Sequence, residues 1–291
     1  MQFDFSWLLV GKDMLKFGMN TGHLDVYILK TPGNSRADVL IQKLSTDYRV
    51  SLRIIDSVMI GNDTDIQVNR IDLESVPFKV LEGRNLSFGE IGCAHTHNLA
   101  RRKISESNFG GVVLEDDARI EDVDKFIEIA IKFLAEYKST TSILTLTSFW
   151  GEKESRQFAQ SKISVPWIKL IGHAPLAVAY VATPMAAAEV LAKNNPIKFV
   201  ADWPLNSSVF YTLKRPTVRH GDESTTSLID KTNTKFRRSA PLSKKISLFS
   251  FHLYLTTGRK NVKFREYLAW VYFRRIKWVF DKIRARIMAV Q

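Results

Sequence analysis

Cysteine is almost absent: Cys93 is the only one in 291 residues. No disulfide can form within the chain, and a reducing compartment is the expected home. Long apolar runs are missing as well. The most apolar-rich stretch, 174–192, is interrupted by Pro175, Pro184 and Glu189, so it does not read as a membrane span of about 20 residues. The first residues, MQFDFSWLLVGKD, carry no basic leader and too short an apolar segment for a signal peptide, which points to the cytoplasm. Neither internal repeats nor low-complexity segments occur. What is present is ordinary for a folded protein: 45% hydrophobic and 25% charged residues exclude wholesale disorder and a polytopic membrane protein.

Acidic residues are scarce only at one end. The net charge of +12 divides into −2 for residues 1–230, with 26 Lys+Arg and 28 Asp+Glu, and +14 for residues 231–291, with 16 and 2. The body is therefore near neutral, and the chain does not encode a uniformly basic nucleic-acid surface. We expect a folded body over 1–230 and a separate basic tail over 231–291.

Local patterns predict alternating strands and helices. Residues 25–29 (DVYIL) form a β-branched and aromatic run ended by the turn-forming TPGNSR, followed by a helix over 37–44 and a strand over 50–55. Ser87 and Glu90 have the spacing of a capping box that starts a helix over 88–106. Strands follow at 110–114, 143–146 and 177–182, and Thr183–Pro184 is a cap and first-turn pair for a helix over 185–193. The expected architecture is an α/β fold with a mostly parallel, nucleotide-binding sheet and helices on both faces.

Glu115, Asp116 and Asp117 stand together at the end of the predicted strand GGVVL. Three adjacent carboxylates at the edge of a buried strand repel one another unless a cation offsets them. Oxygen donors suit Mn2+ or Mg2+, which a sugar-nucleotide diphosphate needs to offset its leaving-group charge. A solvated acidic turn is the plain alternative. Asp202, in KFVADWPL, follows an apolar segment and precedes Trp203 and Pro204; a partly desolvated carboxylate there is either a general base or a simple cap. His220, near Asp222 in a polar stretch, is a late metal ligand, a diphosphate contact or a surface residue. His95 and His97 lie two apart on a predicted helix, so they are not a metal pair, and Cys93 reads as a small buried side chain.

The tail has its own pattern. Tyr272, Ile276, Val279, Ile283 and Ile287 recur at helical spacing opposite Arg274, Arg275, Lys277, Lys282 and Arg284, and ten of the residues 249–280 are Phe, Trp or Tyr. A basic, aromatic amphipathic helix suits an anionic membrane surface; packing on the body and a nucleic-acid arm are the alternatives.

Three segments, DVYILKTPGNSR, LSFGEIGCAHTH and VVLEDDA, resemble glycosyltransferase family 25, the bacterial lipooligosaccharide β-galactosyltransferase family that includes the collagen galactosyltransferases. AVAYVATPMAAAEVL and VADWP extend the likeness over 25–229. Thr96 stands where the family has serine, and Lys30 where asparagine is usual. The resemblance implies a GT-A-type, Rossmann-like fold, a UDP-sugar donor, a divalent metal and inversion at the anomeric carbon. On that basis Asp117 is expected to bind the metal directly with Asp116 assisting and His220 completing the shell. Glu115 would face the ribose, Arg36 would contact the nucleotide, and Asp202 would be the catalytic base. The expected partners are UDP-galactose, a lipid-linked oligosaccharide acceptor and the inner face of the cytoplasmic membrane, with no nucleic acid. A nucleic-acid binder acting through the tail, and a non-catalytic membrane assembly partner, are the competing readings.

Overall fold

The computed structural model describes residues 23–74, 85–147, 165–170, 177–201 and 209–221, with the backbone of 159–160. Asp202 and the tail 231–291 lie outside these residues. In chain order the strands are β1 (Leu24–Lys30), β2 (Val50–Asp56), β3 (Gly111–Glu115), β4 (Ala118–Ile120), β5 (Ser142–Thr145), β6 (Ala159–Gln160), β7 (Trp167–Leu170), β8 (Ala179–Ala182), β9 (Val209–Leu213) and β10 (Val218–His220). The helices are α1 (Arg36–Ser45), α2 (Asp63–Val68), α3 (Phe88–Ser105), α4 (Val123–Tyr137) and α5 (Pro184–Lys193).

Eight strands form one sheet in the order β2-β1-β3-β8-β5-β9-β7-β6, and β10 pairs with β4 beside it. β1 is parallel to both β2 and β3, and β5 to β9. β8 lies antiparallel between β3 and β5, and β7 antiparallel to β9. Most strands thus share one direction, with two running against it. The apolar run of β8 carries no mark of its direction in the sequence.

The two faces of the sheet follow from the period of two along each strand. Leu24, Val26 and Ile28 pack with Leu40 and Leu44 of α1 and with Phe126, Ala130 and Phe133 of α4. Tyr27 and Leu29 point the other way, into a second core with Ile91, Ala94 and Ile104 of α3 and Ala186, Ala187 and Val190 of α5. Helices therefore cover both faces, as a GT-A-type fold requires. Phe133 meets Tyr137, Trp167 and Tyr211 at ring separations of 4.8, 5.4 and 5.5 Å, and each such aromatic pair adds about 0.5–1.5 kcal/mol beyond burial.

The helix starts are chemically defined. Ser87 accepts from the N–H of Glu90, whose carboxylate accepts from the N–H of Ser87 at 2.8 Å; this reciprocal cap satisfies two donors that α3 would otherwise leave unpaired. Thr183 caps α5 by accepting from Ala186, with Pro184 in the first turn. Glycine is required at two packed positions. Gly110 has φ of 106°, and a Cβ there would lie 2.6 Å from the carbonyl oxygen of Ala182. A Cβ on Gly92 would overlap the carbonyl of Val58, so the glycine lets α3 press against the chain following β2. Thr96 fastens the same contact: its hydroxyl donates to the Gly92 carbonyl at 2.8 Å and accepts from the Val58 N–H at 3.0 Å. Threonine supplies here the hydroxyl that a serine would.

Candidate active site and metal-binding residues

β3 delivers Glu115 at its last position, where its N–H donates to the Val178 carbonyl at 2.8 Å. Asp116 and Asp117 form the turn that leads into β4. The β4–β10 ladder pairs Ala118 with His220, and the N–H of Gly221 donates to the Asp117 carbonyl at 2.9 Å. Backbone pairing thus carries His220 from far along the chain to the acidic turn. Its Nε2 lies 3.2 Å from Oδ2 of Asp117. Its Nδ1 is 2.9 Å from the Gly221 carbonyl, so a proton on Nδ1 can donate there.

Each aspartate buries one oxygen that makes no hydrogen bond, Oδ2 of Asp116 and Oδ1 of Asp117, a costly state for a carboxylate oxygen. The nearest cation to Asp116 is the Arg36 guanidinium, 3.8 Å away, at the first residue of α1. Carboxylate oxygens and an imidazole nitrogen are ligand types for a divalent cation, but Asp116, Asp117 and His220 do not form a compact three-ligand group among the described residues.

The local field opposes negative charge. Burial, then repulsion from Asp117 and Asp116, raises the Glu115 carboxyl from 4.5 to about 7 against the opposing pull of His220. Asp117 is also raised, chiefly by burial and then by Asp116, while His220 and Arg36 pull the other way. A carboxyl raised in the folded state stabilises the protein fully below its unfolded value, and that contribution is lost as pH rises through the folded value. For Glu115 the window runs from 4.5 to about 7. In chelator, the stability of Glu115→Gln relative to the parent should therefore rise by on the order of 1–3 kcal/mol between pH 5 and 8. Thermal unfolding of both proteins across that range measures it; a constant difference would remove Glu115 as the source.

A second group of donors adjoins the first. His97 is fully buried on α3; its Nε2 is 3.0 Å from Oε1 of Glu115 and its Nδ1 is 3.3 Å from the Tyr180 hydroxyl of β8. Cys93 lies one helical turn before it, and one ligand atom from each of Cys93, His97 and Glu115 falls within 4.8 Å of the other two. These three residues could hold a metal ion. Cys93 is half-buried rather than enclosed. His95 is held below its usual range by burial and by Arg102 and is not part of this group.

The structure thus brings Arg36, Glu115, Asp116, Asp117 and His220 to one end of β3. Asp202 falls outside the described residues, although its neighbour Ala201 is tied to α3 by the Arg101 guanidinium, which donates to the Ala201 carbonyl at 3.0 Å. Sequence reasoning missed the pairing of Cys93 with His97. Their spacing of four residues on a helix was the available signal.

A mixed, largely parallel sheet with helices on both faces is consistent with a GT-A-type, Rossmann-like fold. The profile of glycosyltransferase family 25 (LPS biosynthesis protein) matches residues 33–204. The chain belongs to that family and is a glycosyltransferase. No curated protein matches it. Family membership and a donor group able to hold a metal ion are together consistent with a metal-dependent enzyme of lipopolysaccharide synthesis. Among the described residues no helix is long and apolar enough to cross a membrane.

Proposed function

We propose that the protein moves galactose from UDP-galactose to a sugar hydroxyl of a lipid-linked oligosaccharide, with inversion at the anomeric carbon. The observation that supports this reading is the turn after β3, where Asp116 and Asp117 each bury one oxygen that makes no hydrogen bond and the other oxygen of Asp117 lies 3.2 Å from Nε2 of His220, in a chain of this family. Those three residues would hold Mn2+ or Mg2+, which when bound offsets the charge of the departing diphosphate. Arg36, beside Asp116, contacts the nucleotide, and Glu115 faces the ribose. The acceptor oxygen attacks the anomeric carbon from the face opposite UDP, the carbon–oxygen bond to the diphosphate breaks, and Asp202 takes the acceptor proton.

Hydrolysis of a panel of UDP-sugars, with Mn2+ and with chelator, tests the donor and the cation together. Preference for UDP-galactose, dependent on the metal, is the expected outcome. Turnover unaffected by chelator, or selective for another donor, would overturn the corresponding part.

The membrane part of the proposal rests on the sequence of 231–291. Ending the chain at Asp230 removes the net +14, and each basic residue near an anionic surface is worth about 1 kcal/mol. The truncated protein should lose most of its binding to anionic vesicles, and salt should weaken binding of the full chain. Co-sedimentation at low and high salt measures both; equal binding by the two proteins would rule out the tail as the contact.

A further inference from the structure

We propose that Cys93, His97 and Glu115 form a second cation site, selective for a thiophilic divalent ion such as Zn2+ and distinct from the site proposed at Asp116, Asp117 and His220. The argument rests on donor chemistry and local rigidity. It does not depend on which sugar is transferred.

Sulfur, imidazole nitrogen and one carboxylate oxygen are the ligand types of zinc, whereas Mn2+ and Mg2+ prefer oxygen throughout. A thiolate, a carboxylate and a neutral imidazole carry two negative charges, which one Zn2+ cancels. The spacing is close to what coordination needs. Ligand atoms around a tetrahedral zinc lie about 3.5 Å apart; those of Cys93, His97 and Glu115 lie within 4.8 Å of one another, with His97 and Glu115 at 3.0 Å.

The supports are already in place. Cys93 and His97 project from one side of α3, whose start is locked by the Ser87–Glu90 cap and whose next turn is held by Gly92 and Thr96 against Val58. The second ring nitrogen of His97 is within hydrogen-bond distance of the Tyr180 hydroxyl, the outer contact that orients a histidine ligand. Three protein ligands leave one position of a tetrahedral ion for water or a bound group. An ion here ties α3 to the end of β3 through Oε1 of Glu115 and leaves the second oxygen to face the ribose.

Cobalt gives a direct readout, because Cys93 is the chain's only thiol and any thiolate-to-cobalt charge-transfer band reports this residue alone. Titrating the metal-free, full-length protein with Co2+ should develop that band at one equivalent. Zn2+ should displace it, and excess Mg2+ should not. Cys93→Ser should abolish the band, and His97→Gln should weaken Co2+ binding at least tenfold, while Asp117→Asn leaves the band in place. Circular dichroism checks each fold, and the half-buried Cys93 keeps the test valid if His97→Gln does not fold. Co2+ bound to the folded parent without a thiolate band would overturn the proposal. So would Zn2+ affinity unchanged in Cys93→Ser.

Discussion

Asp117→Asn is expected to reduce turnover by about a hundredfold or more, equivalent to about 3 kcal/mol or more of transition-state stabilisation, because an amide oxygen is a much poorer ligand for a hard cation. The fold should survive. The strand-like contact that holds this turn uses the Asp117 carbonyl, which accepts from Gly221, and the substitution leaves that carbonyl untouched. In chelator the variant should gain stability relative to the parent as pH rises, since it removes a carboxylate whose ionisation burial and Asp116 disfavour. Activity and stability thus move in opposite directions, which separates a ligand from a structural residue. A variant that keeps near-parent turnover at saturating Mn2+ would remove Asp117 from the metal site.

Asp202→Asn should lower kcat by about 10²–10⁴-fold while leaving donor affinity nearly unchanged, because a general base acts in the transition state and not in the binding of UDP-sugar. The position has a firm neighbour: Arg101, itself buried, holds the Ala201 carbonyl and is braced by Asn98 at 3.3 Å. Calorimetry with UDP and single-turnover kinetics divide the two effects. If donor binding is lost and the bound fraction still turns over at the parent rate, Asp202 is a donor ligand and the base lies elsewhere.

Features encoded within a few residues were readable before the structure. The Ser87–Glu90 and Thr183–Pro184 caps start their helices where their spacing places them, and the first β-α-β unit lies within a residue or two of the expected bounds. The acidic triplet at the end of β3 was equally local. α4 was legible yet left unassigned: Asp122 caps it by accepting from Lys125, and Phe126, Ala130, Phe133 and Leu134 follow the helical period. Other features had no local signal. β10 is three residues in a polar stretch, and it is a strand only because β4 offers a partner. The link from His97 to Glu115 joins a helix to a strand end, and comparing His97 with His95 drew attention away from Cys93 four residues earlier.

The β4–β10 ladder sets an order of assembly. Residues 218–220 lie against 118–120, so about a hundred residues must be made between the carboxylates and the histidine that faces them. During synthesis the amino-terminal β-α-β unit, α3 and β3 leave the ribosome before β10 exists. Asp116 and Asp117 then wait in a partly built protein without His220. Of the described strands, the one that brings His220 to Asp117 is the last to leave the ribosome.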